Sequence, residues 1–475
     1  MTAMLMPLWP GFEYRDHQTK GIHWMLEQEQ DEDTFRGGFL CDEMGLGKTM
    51  EVLGLLKNSG RGEHSLLLGP LAVIEQWIAA AKRSSFNVFR VDPKRHAWVA
   101  DGKTFIGRPF FYITHYETIN GYSYLVERHW HRLICDEAHR LVNAKSKSHQ
   151  RVCEIEAKNR WVVTATPIIN DIADGRALFA IAGMDPSDVP YGKTDLGELI
   201  SQKAMCRTVQ ELRSTIKELP KKEETTVHTL PFKTEDEEDF YRGIQGQLVK
   251  RWIALQNEGA NHWAMIKLLI LLRQISVHPQ IYINARRRES DAYHRDDWMG
   301  DSTKTAAVKQ LIEAESDTPH RWLVFCQFHD EMDILASSLR NLPRVQQVQT
   351  YSGKQTQAQR EEVVQNTKNA FVGDNTVEVL MVQLHSGSVG LNLQHFDRVI
   401  FISPWWTAAL MDQAVGRAVR MGQTETVKVH HLQLQEENSL NIDDLMLNAV
   451  SRKRELCNWF LDTASRGLEV EEDPQ

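Results

Sequence analysis

The sequence predicts an α/β protein with two parallel-sheet lobes and a helical connector between them. Three observations carry this. Apolar strand-like runs alternate with helix-like stretches up to about Thr225. The pattern turns helical from there to about Gly300, then alternation resumes. Strands alternating with helices make parallel sheets covered on both faces, and polar residues at the strand ends line the ligand crevice. The 475 residues are enough for two or three domains, and 42% hydrophobic with 25% charged residues is ordinary for a globular chain.

The first element is Gly38-Phe39-Leu40-Cys41, a strand. It runs into Asp42-Glu43-Met44-Gly45-Leu46-Gly47-Lys48-Thr49, and a helix follows from Met50 to Leu56. A glycine-containing loop between strand and helix turns backbone N–H groups toward an anion, and the helix N-terminus adds partial positive charge. Met44, Gly45, Leu46 and Gly47 would supply that cradle. Lys48 would reach the outer phosphates of a nucleotide, and the Thr49 hydroxyl would hold Mg²⁺. The strict pattern places glycine where Asp42 stands, so only the Gly-Lys-Thr half matches. Gly-Lys-Thr can also open an ordinary helix; the downstream residues favour the phosphate role.

Upstream, Ile22, Met25 and Leu26 recur at helical spacing. Gln18 on that helix could hydrogen-bond both edges of adenine, or be a surface glutamine. Downstream strands are expected at Leu66–Leu68, Phe110–Thr114, Leu133–Cys135 and Arg160 onward, with a helix from Val73 through Trp77. Asp136-Glu137 directly after a strand suits hydrolysis. Asp136 would hold Mg²⁺, and Glu137 would orient or deprotonate the attacking water. Glu235–Asp239 reads as a solvated helix start, and Arg286-Arg287-Arg288 as surface or a phosphate contact. In the last third, strands are expected at Trp322–Cys326, Val377–Val382, Arg398–Ile402 and Val427–Leu432. On one helix, Gln413, Arg417 and Arg420 would share a face, and two arginines so placed can offer guanidinium forks to a γ-phosphate.

The net charge of −9 does not advertise nucleic-acid binding, so any such site must be a local basic groove. The 6 cysteines are scattered with no Cys-x-x-Cys pair, which argues against a disulfide framework or structural zinc and for a reducing compartment. No apolar run is long enough to span a bilayer, and the N-terminus is a poor signal peptide. An intracellular location is expected: the nucleus in a eukaryote, or a site of viral DNA metabolism.

In order, the chain carries Gln18, the Asp42–Thr49 loop, Gly69-Pro70-Leu71-Ala72-Val73-Ile74-Glu75-Gln76-Trp77, Asp136-Glu137-Ala138-His139 and Thr164-Ala165-Thr166-Pro167. Leu219-Pro220-Lys221-Lys222, Leu272-Arg273-Gln274-Ile275 with His278-Pro279, and Leu323–Phe328 follow. Ser386–Leu393 and Gln413–Gln423 come last. These blocks resemble the Swi/Snf-type ATPases of helicase superfamily two. The resemblance runs from about Phe12 to Leu434. It implies two RecA-like lobes that hold ATP and Mg²⁺ between them and move along double-stranded DNA, remodelling or displacing chromatin or other DNA-bound proteins. It implies catalytic roles for Lys48, Asp136, Glu137, Arg417 and Arg420, nucleotide contacts by Gln18, Gly390 and Gln413, and DNA contacts by Pro70, Thr114, Tyr116, Ser386 and Asn392. The expected domains are residues 1–228 for the first lobe, 229–300 for the connector, 301–465 for the second lobe and 466–475 for an acidic tail. Pro404-Trp405-Trp406 and Tyr14–Gln18 resemble the repair-linked branch, but the connector lacks the cysteines of that branch's zinc-binding insert. Ile169, Val419 and Val142 stand where the family usually has Gln, His and Lys. A strand-separating helicase on DNA or RNA would use the same ATP site.

Overall fold

The computed structural model describes residues 4–31, 35–60, 63–92, 94–122, 127–213, 216, 224–259, 262–315, 319–368, 377–384, 391, 393–420, 423–435 and 441–469. The chain divides into two compact units: Met1–Lys217 with Arg452–Gln475, and Glu218–Ser451. Each is an α/β lobe built on one mostly parallel sheet.

In the first unit the strands are β1 (Gly37–Leu40), β2 (His64–Gly69), β3 (Asn87–Asp92), β4 (Ala97–Ala100), β5 (Phe110–His115), β6 (Trp130–Asp136), β7 (Ala157–Val163) and β8 (Ala204–Met205). Their order across the sheet is β4-β3-β5-β2-β6-β7-β1-β8, parallel except for the β3–β4 hairpin. Side chains alternate between two buried faces. Leu40, Leu67, Ile134 and Trp161 pack on one side with α1 (Asp16–Gln28), α2 (Lys48–Asn58) and α3 (Leu71–Arg83). Phe39, Leu66, Leu68, Leu133 and Val162 pack on the other with the helices Ile172–Ile181 and Lys193–Lys203. Burial on both faces is why these strands read as continuous apolar runs rather than alternating ones.

Register decides where the chemistry can sit. Leu40 pairs with Val163, and Val163 pairs with Asp136. Leu68 pairs with Cys135, and Gly69 pairs with His115. The carboxyl ends of β1, β7, β6, β2 and β5 therefore finish along one edge. The Asp42–Thr49 loop and the segments that open at Gly69, Asp136 and Thr164 all begin at that edge.

The second unit carries β9 (Glu224–Leu230), β10 (His320–Cys326), β11 (Val345–Tyr351), β12 (Val377–Gln383), β13 (Arg398–Phe401) and β14 (Lys428–Leu434), in the order β11-β12-β10-β13-β14-β9. All its pairings are parallel. The helices Glu235–Asn257, His262–Val277 and Pro279–Glu289 form the expected helical stretch, with a core around Phe240, Tyr241, Leu271 and Tyr282.

Two boundaries differ from expectation. The limit at residue 228 falls inside β9, which pairs with β14 over its whole length, so the second sheet recruits the chain from Glu224. Residues from Arg452 count with the first unit, not with residues 301–451. The reason is packing: Phe460 and Ala464 of the last helix are buried in the first lobe's core, with the Phe460 ring 6.0 Å from that of Phe39. The tail from residue 470 and the Leu219–Lys222 block lie outside the described residues. Among the described residues no helix is long and apolar enough to cross a membrane.

Two charge runs resolve into local structure. Thr234 caps the helix that Glu235 opens, and Glu237 is buried, accepting from the Thr303 N–H at 2.9 and 3.0 Å and from its hydroxyl at 2.7 Å. Arg286, Arg287 and Arg288 form ion pairs with Glu289, Asp297 and Asp330.

Candidate nucleotide site

The loop after β1 opens with Cys41 and Glu43, whose N–H groups pair with the Met205 and Arg207 carbonyls at 2.7 and 2.9 Å. It then turns through Gly45 (φ +91°) and Gly47 (φ +95°). Both lie in the left-handed region, which side chains other than glycine rarely adopt. Gly47 caps α2, and the Met50 and Glu51 N–H groups bond its carbonyl at 2.7 and 3.3 Å. Lys48 opens the helix, and its Nζ donates to the Asp42 carbonyl at 2.6 Å. Thr49 follows it, half-buried.

Gln18 is buried beneath this loop. Its Nε2 donates to the Leu46 carbonyl at 3.2 Å, and its Oε1 accepts from the Arg15 N–H at 3.1 Å. His17 Nε2 lies 2.9 Å from the same Leu46 carbonyl. A Cβ on Gly47 would come within 2.5 Å of the Gln18 amide. Here Gln18 braces the loop as well as capping α1.

Asp136 ends β6, two strands over from β1 and about 10 Å away at ordinary strand spacing. Its Oδ2 accepts from Trp77 Nε1 at 2.7 Å, and its Oδ1 accepts from the Glu137 N–H at 3.0 Å. Its backbone carbonyl accepts from the Tyr116 hydroxyl at 2.6 Å. Burial, then the charge of Glu137, raise the Asp136 carboxyl to about 7, while the Trp77 bond and the Lys48 ammonium pull it down. Glu137 has φ +49° and ψ +44°, a left-handed conformation for a residue with a full side chain. Such a conformation costs about 1–3 kcal/mol and persists where its surroundings hold it. Glu137 Oε2 lies 3.4 Å from His139 Nδ1, which also meets Thr164 Oγ1 at 3.0 Å and Thr166 Oγ1 at 3.4 Å. Burial lowers the pKa of His139. The Asp-Glu-Ala-His segment and the Thr-Ala-Thr segment are thus one hydrogen-bonded unit.

The structure therefore brings together Gln18, Met44 to Thr49, Asp136 and Glu137 in one lobe. Other site residues fare differently. Pro70, Thr114 and Tyr116 are all buried, and the Tyr116 hydroxyl is engaged with Asp136. A direct phosphate contact through these side chains does not fit that burial; the Tyr116 hydroxyl supports Asp136 instead. Ser386, Gly390 and Asn392 lie outside the described residues. In the second lobe, the helix carrying Gln413 ends at Val415, so Gln413, Arg417 and Arg420 do not share one helical face. Past Gly416 the turns tighten, with the Arg417 N–H bonding Ala414 and the Ala418 N–H bonding Val415. The Arg417 carbonyl goes to the Leu393 N–H at 3.1 Å instead of continuing the helix. Gln413 and Arg417 are buried, and Arg420 is half-buried. Three further blocks do meet in that lobe. Arg273 lies over the Trp405 ring at 4.3 Å, and Gln327 Nε2 donates to the Pro404 carbonyl at 3.0 Å.

Sequence reasoning gave no role to Trp77 and passed over Arg207 entirely. Trp77 stood inside a quoted block; Arg207 carried no local signal. Arg207 Nε donates to both Asp42 carboxylate oxygens at 3.0 Å, and Nη2 donates to Glu51 Oε2 at 2.6 Å.

The chain is similar to known proteins over most of its length. The SNF2-related domain model matches residues 17–190, and the helicase conserved C-terminal domain model matches residues 303–422. A probable global transactivator of Orgyia pseudotsugata multicapsid polyhedrosis virus is 28% identical over 450 residues, covering 90% of this chain and 87% of that protein. The mouse SWI/SNF-related matrix-associated actin-dependent regulator of chromatin subfamily A member 1 is 28% identical over 452 residues, or 89% of this chain. The matched region is 41% of that longer protein. The solved Sulfolobus solfataricus SWI2/SNF2 ATPase core in complex with dsDNA is 23% identical, with a TM-score of 0.42, and the match covers 99% of this chain and 97% of that one. With both family models in order on two parallel-sheet lobes, the chain belongs to the Swi/Snf-type ATPases of helicase superfamily two.

Proposed function

We propose that this chain hydrolyses ATP to move along double-stranded DNA and to remodel or displace what is bound there, chromatin included. The observation that carries the hydrolytic half is the meeting of Lys48–Thr49 and Asp136–Glu137 at one sheet edge. Backbone amides of the loop and α2 would cradle the phosphates, as helix N-termini do. Lys48 would exchange the Asp42 carbonyl for phosphate oxygens. Glu137, held in its left-handed conformation, would take the proton of the attacking water. Arg417 and Arg420 serve turnover in this reading, and Gln18 and Gln413 contact the nucleotide.

The donor set suits Mg²⁺. Asp136 is an acid raised to about 7 beside a second carboxylate, the environment a divalent cation offsets. Thr49 and Asp136 would hold it, and it would neutralise charge on the phosphates. DNA movement is supported by the SNF2-related and helicase C-terminal family matches. An intracellular site with access to DNA follows from the same reading.

The test is the ATPase rate with no nucleic acid, single-stranded DNA, double-stranded DNA, RNA and nucleosomes, with a duplex-unwinding assay alongside. Double-stranded DNA should stimulate most, without strand separation. Glu137→Gln should keep ATP binding and lose turnover. Stimulation by RNA alone, or brisk duplex unwinding, would replace the translocase reading with a strand-separating helicase. Wild-type turnover in Glu137→Gln would remove the assigned base.

A further inference from the structure

Arg207 lies just beyond β8, and three elements of the nucleotide site converge on its buried guanidinium. Nε donates to both oxygens of Asp42, which opens the loop. Nη2 donates to Asp42 Oδ2 and to Glu51 Oε2, on α2 one turn after Lys48. Nη1 donates to the backbone carbonyl of His17, beside Gln18 on α1. Asp42 and Glu51 are fully buried. α1 approaches this trio closely because residue 21 is glycine: a Cβ there would stand 2.0 Å from Glu51 Oε2 and 3.0 Å from Arg207 Nη2.

The charge arithmetic gives this arrangement a purpose. Asp42 occupies the position where the strict phosphate-loop pattern has glycine, so this loop carries a carboxylate. A buried carboxylate without a cation is costly, and it repels incoming phosphate. It would also compete for Lys48, whose ammonium already rests 2.6 Å from the Asp42 carbonyl. The guanidinium that meets both Asp42 oxygens supplies the balancing charge.

We propose that Arg207 is a positioning residue for nucleotide binding: it cancels the Asp42 charge inside the phosphate loop and leaves Lys48 available to the phosphates. Arg207 touches no substrate atom. The inference rests on the nucleotide reading given above.

The test is equilibrium binding of a fluorescent ATP analogue with Mg²⁺ to the full chain, with a melting curve for each sample. The proteins are wild type, Lys48→Ala, Arg207→Gln, Arg207→Lys, Asp42→Asn and the Asp42→Asn/Arg207→Gln double variant. Arg207→Gln should weaken binding by about tenfold or more, as loss of one partner from a buried charged pair does. The double variant should recover most of that affinity, because the stranded carboxylate is gone. Arg207→Lys keeps the charge and should bind within a few-fold of wild type, even where its melting temperature falls. A purely architectural arginine predicts the opposite: a melting shift in each variant with affinity unchanged, or additive losses in the double variant. Either result overturns the inference, as does an Arg207→Lys affinity as poor as that of Arg207→Gln. Wild type that binds no better than Lys48→Ala would overturn the nucleotide reading and this inference with it. Wild type that binds while Arg207→Gln binds equally well overturns this inference alone.

Discussion

Glu51 offers a stability measurement whose sign is fixed by the structure. Its carboxyl is fully buried against Asp42 and Arg207. Burial first and the Asp42 charge second raise it from 4.5 to about 8, against the opposing pull of Arg207. In the unfolded chain it titrates near its ordinary value. Between those two pH values the folded protein holds a proton that the unfolded chain releases, so stability falls as pH rises. The contribution is fully present below the unfolded value, is lost progressively toward pH 8, and is flat beyond. At about 1.4 kcal/mol for each pH unit, the ceiling is about 5 kcal/mol. Glu51→Gln removes the titration while keeping the shape and an oxygen for Arg207 Nη2. The variant should match wild type or fall slightly below it at pH 5, then gain on it steadily up to pH 8. Denaturant midpoints for both proteins from pH 5 to 9, followed through Trp fluorescence, read this difference. A difference that does not change with pH would refute the reasoning, and so would a wild type that gains on the variant toward pH 8.

Two further outcomes follow from single contacts. Trp77→Phe deletes the 2.7 Å bond to Asp136 Oδ2 while filling most of the same space. A hydrogen bond to a charged group is worth about 1.5–3 kcal/mol, so stability should drop by about that amount and half-saturation by Mg²⁺ in the ATPase assay should rise; an unchanged Mg²⁺ titration would break the link between α3 and the acid. Arg420→Ala, at a half-buried position past the helix end, should leave melting and ATP affinity nearly intact while turnover falls by about 10³ or more. Stopped-flow phosphate release decides that case, and normal release would remove Arg420 from the turnover machinery.

Much of the first lobe was legible because its signals are local. A strand, a Gly-Lys-Thr turn and a helix are contiguous, and Asp136-Glu137 follows its strand directly. Burial on both faces made β1, β2, β5, β6 and β7 readable as apolar runs. The β3–β4 hairpin, β8, β9 and β11 were not read. Their patterns are short or half-exposed, as in Gln346-Gln347-Val348-Gln349 of β11, so neither period nor composition marks them. Helical spacing places Gln413, Arg417 and Arg420 on one face, but the helix ends at Val415, and past it the Arg417 carbonyl bonds the Leu393 N–H. Arg207 was illegible for a different reason. Its partners lie 165 and 156 residues away, and only the pairing of the β1 end with the β8 end brings them together.

The burial of Pro70, Thr114 and Tyr116 changes what the edge of the first lobe does. These residues were expected at a phosphate backbone, yet their neighbours converge on Asp136. Pro70 caps α3, whose Trp77 holds the Asp136 carboxylate; Tyr116, two residues past Thr114, holds the Asp136 carbonyl. Both faces of the acid are thus set by elements that start at the sheet edge. Glu137 depends on the same acid, since Asp136 Oδ1 receives the N–H of its left-handed backbone. A left-handed glutamate is the kind of strained residue that holds only while its partners stay in place. A displacement of α3 or of the Tyr116 turn would therefore reach Glu137 through one residue, across contacts of 2.7, 2.6 and 3.0 Å. The opposite side is tied by His139 to Thr164 and Thr166, so the acid pair is fastened to three of the strand ends that share its edge. The geometry of this acid pair is a property of the whole edge, with Trp77, Tyr116 and the Thr164–Thr166 turn as its supports.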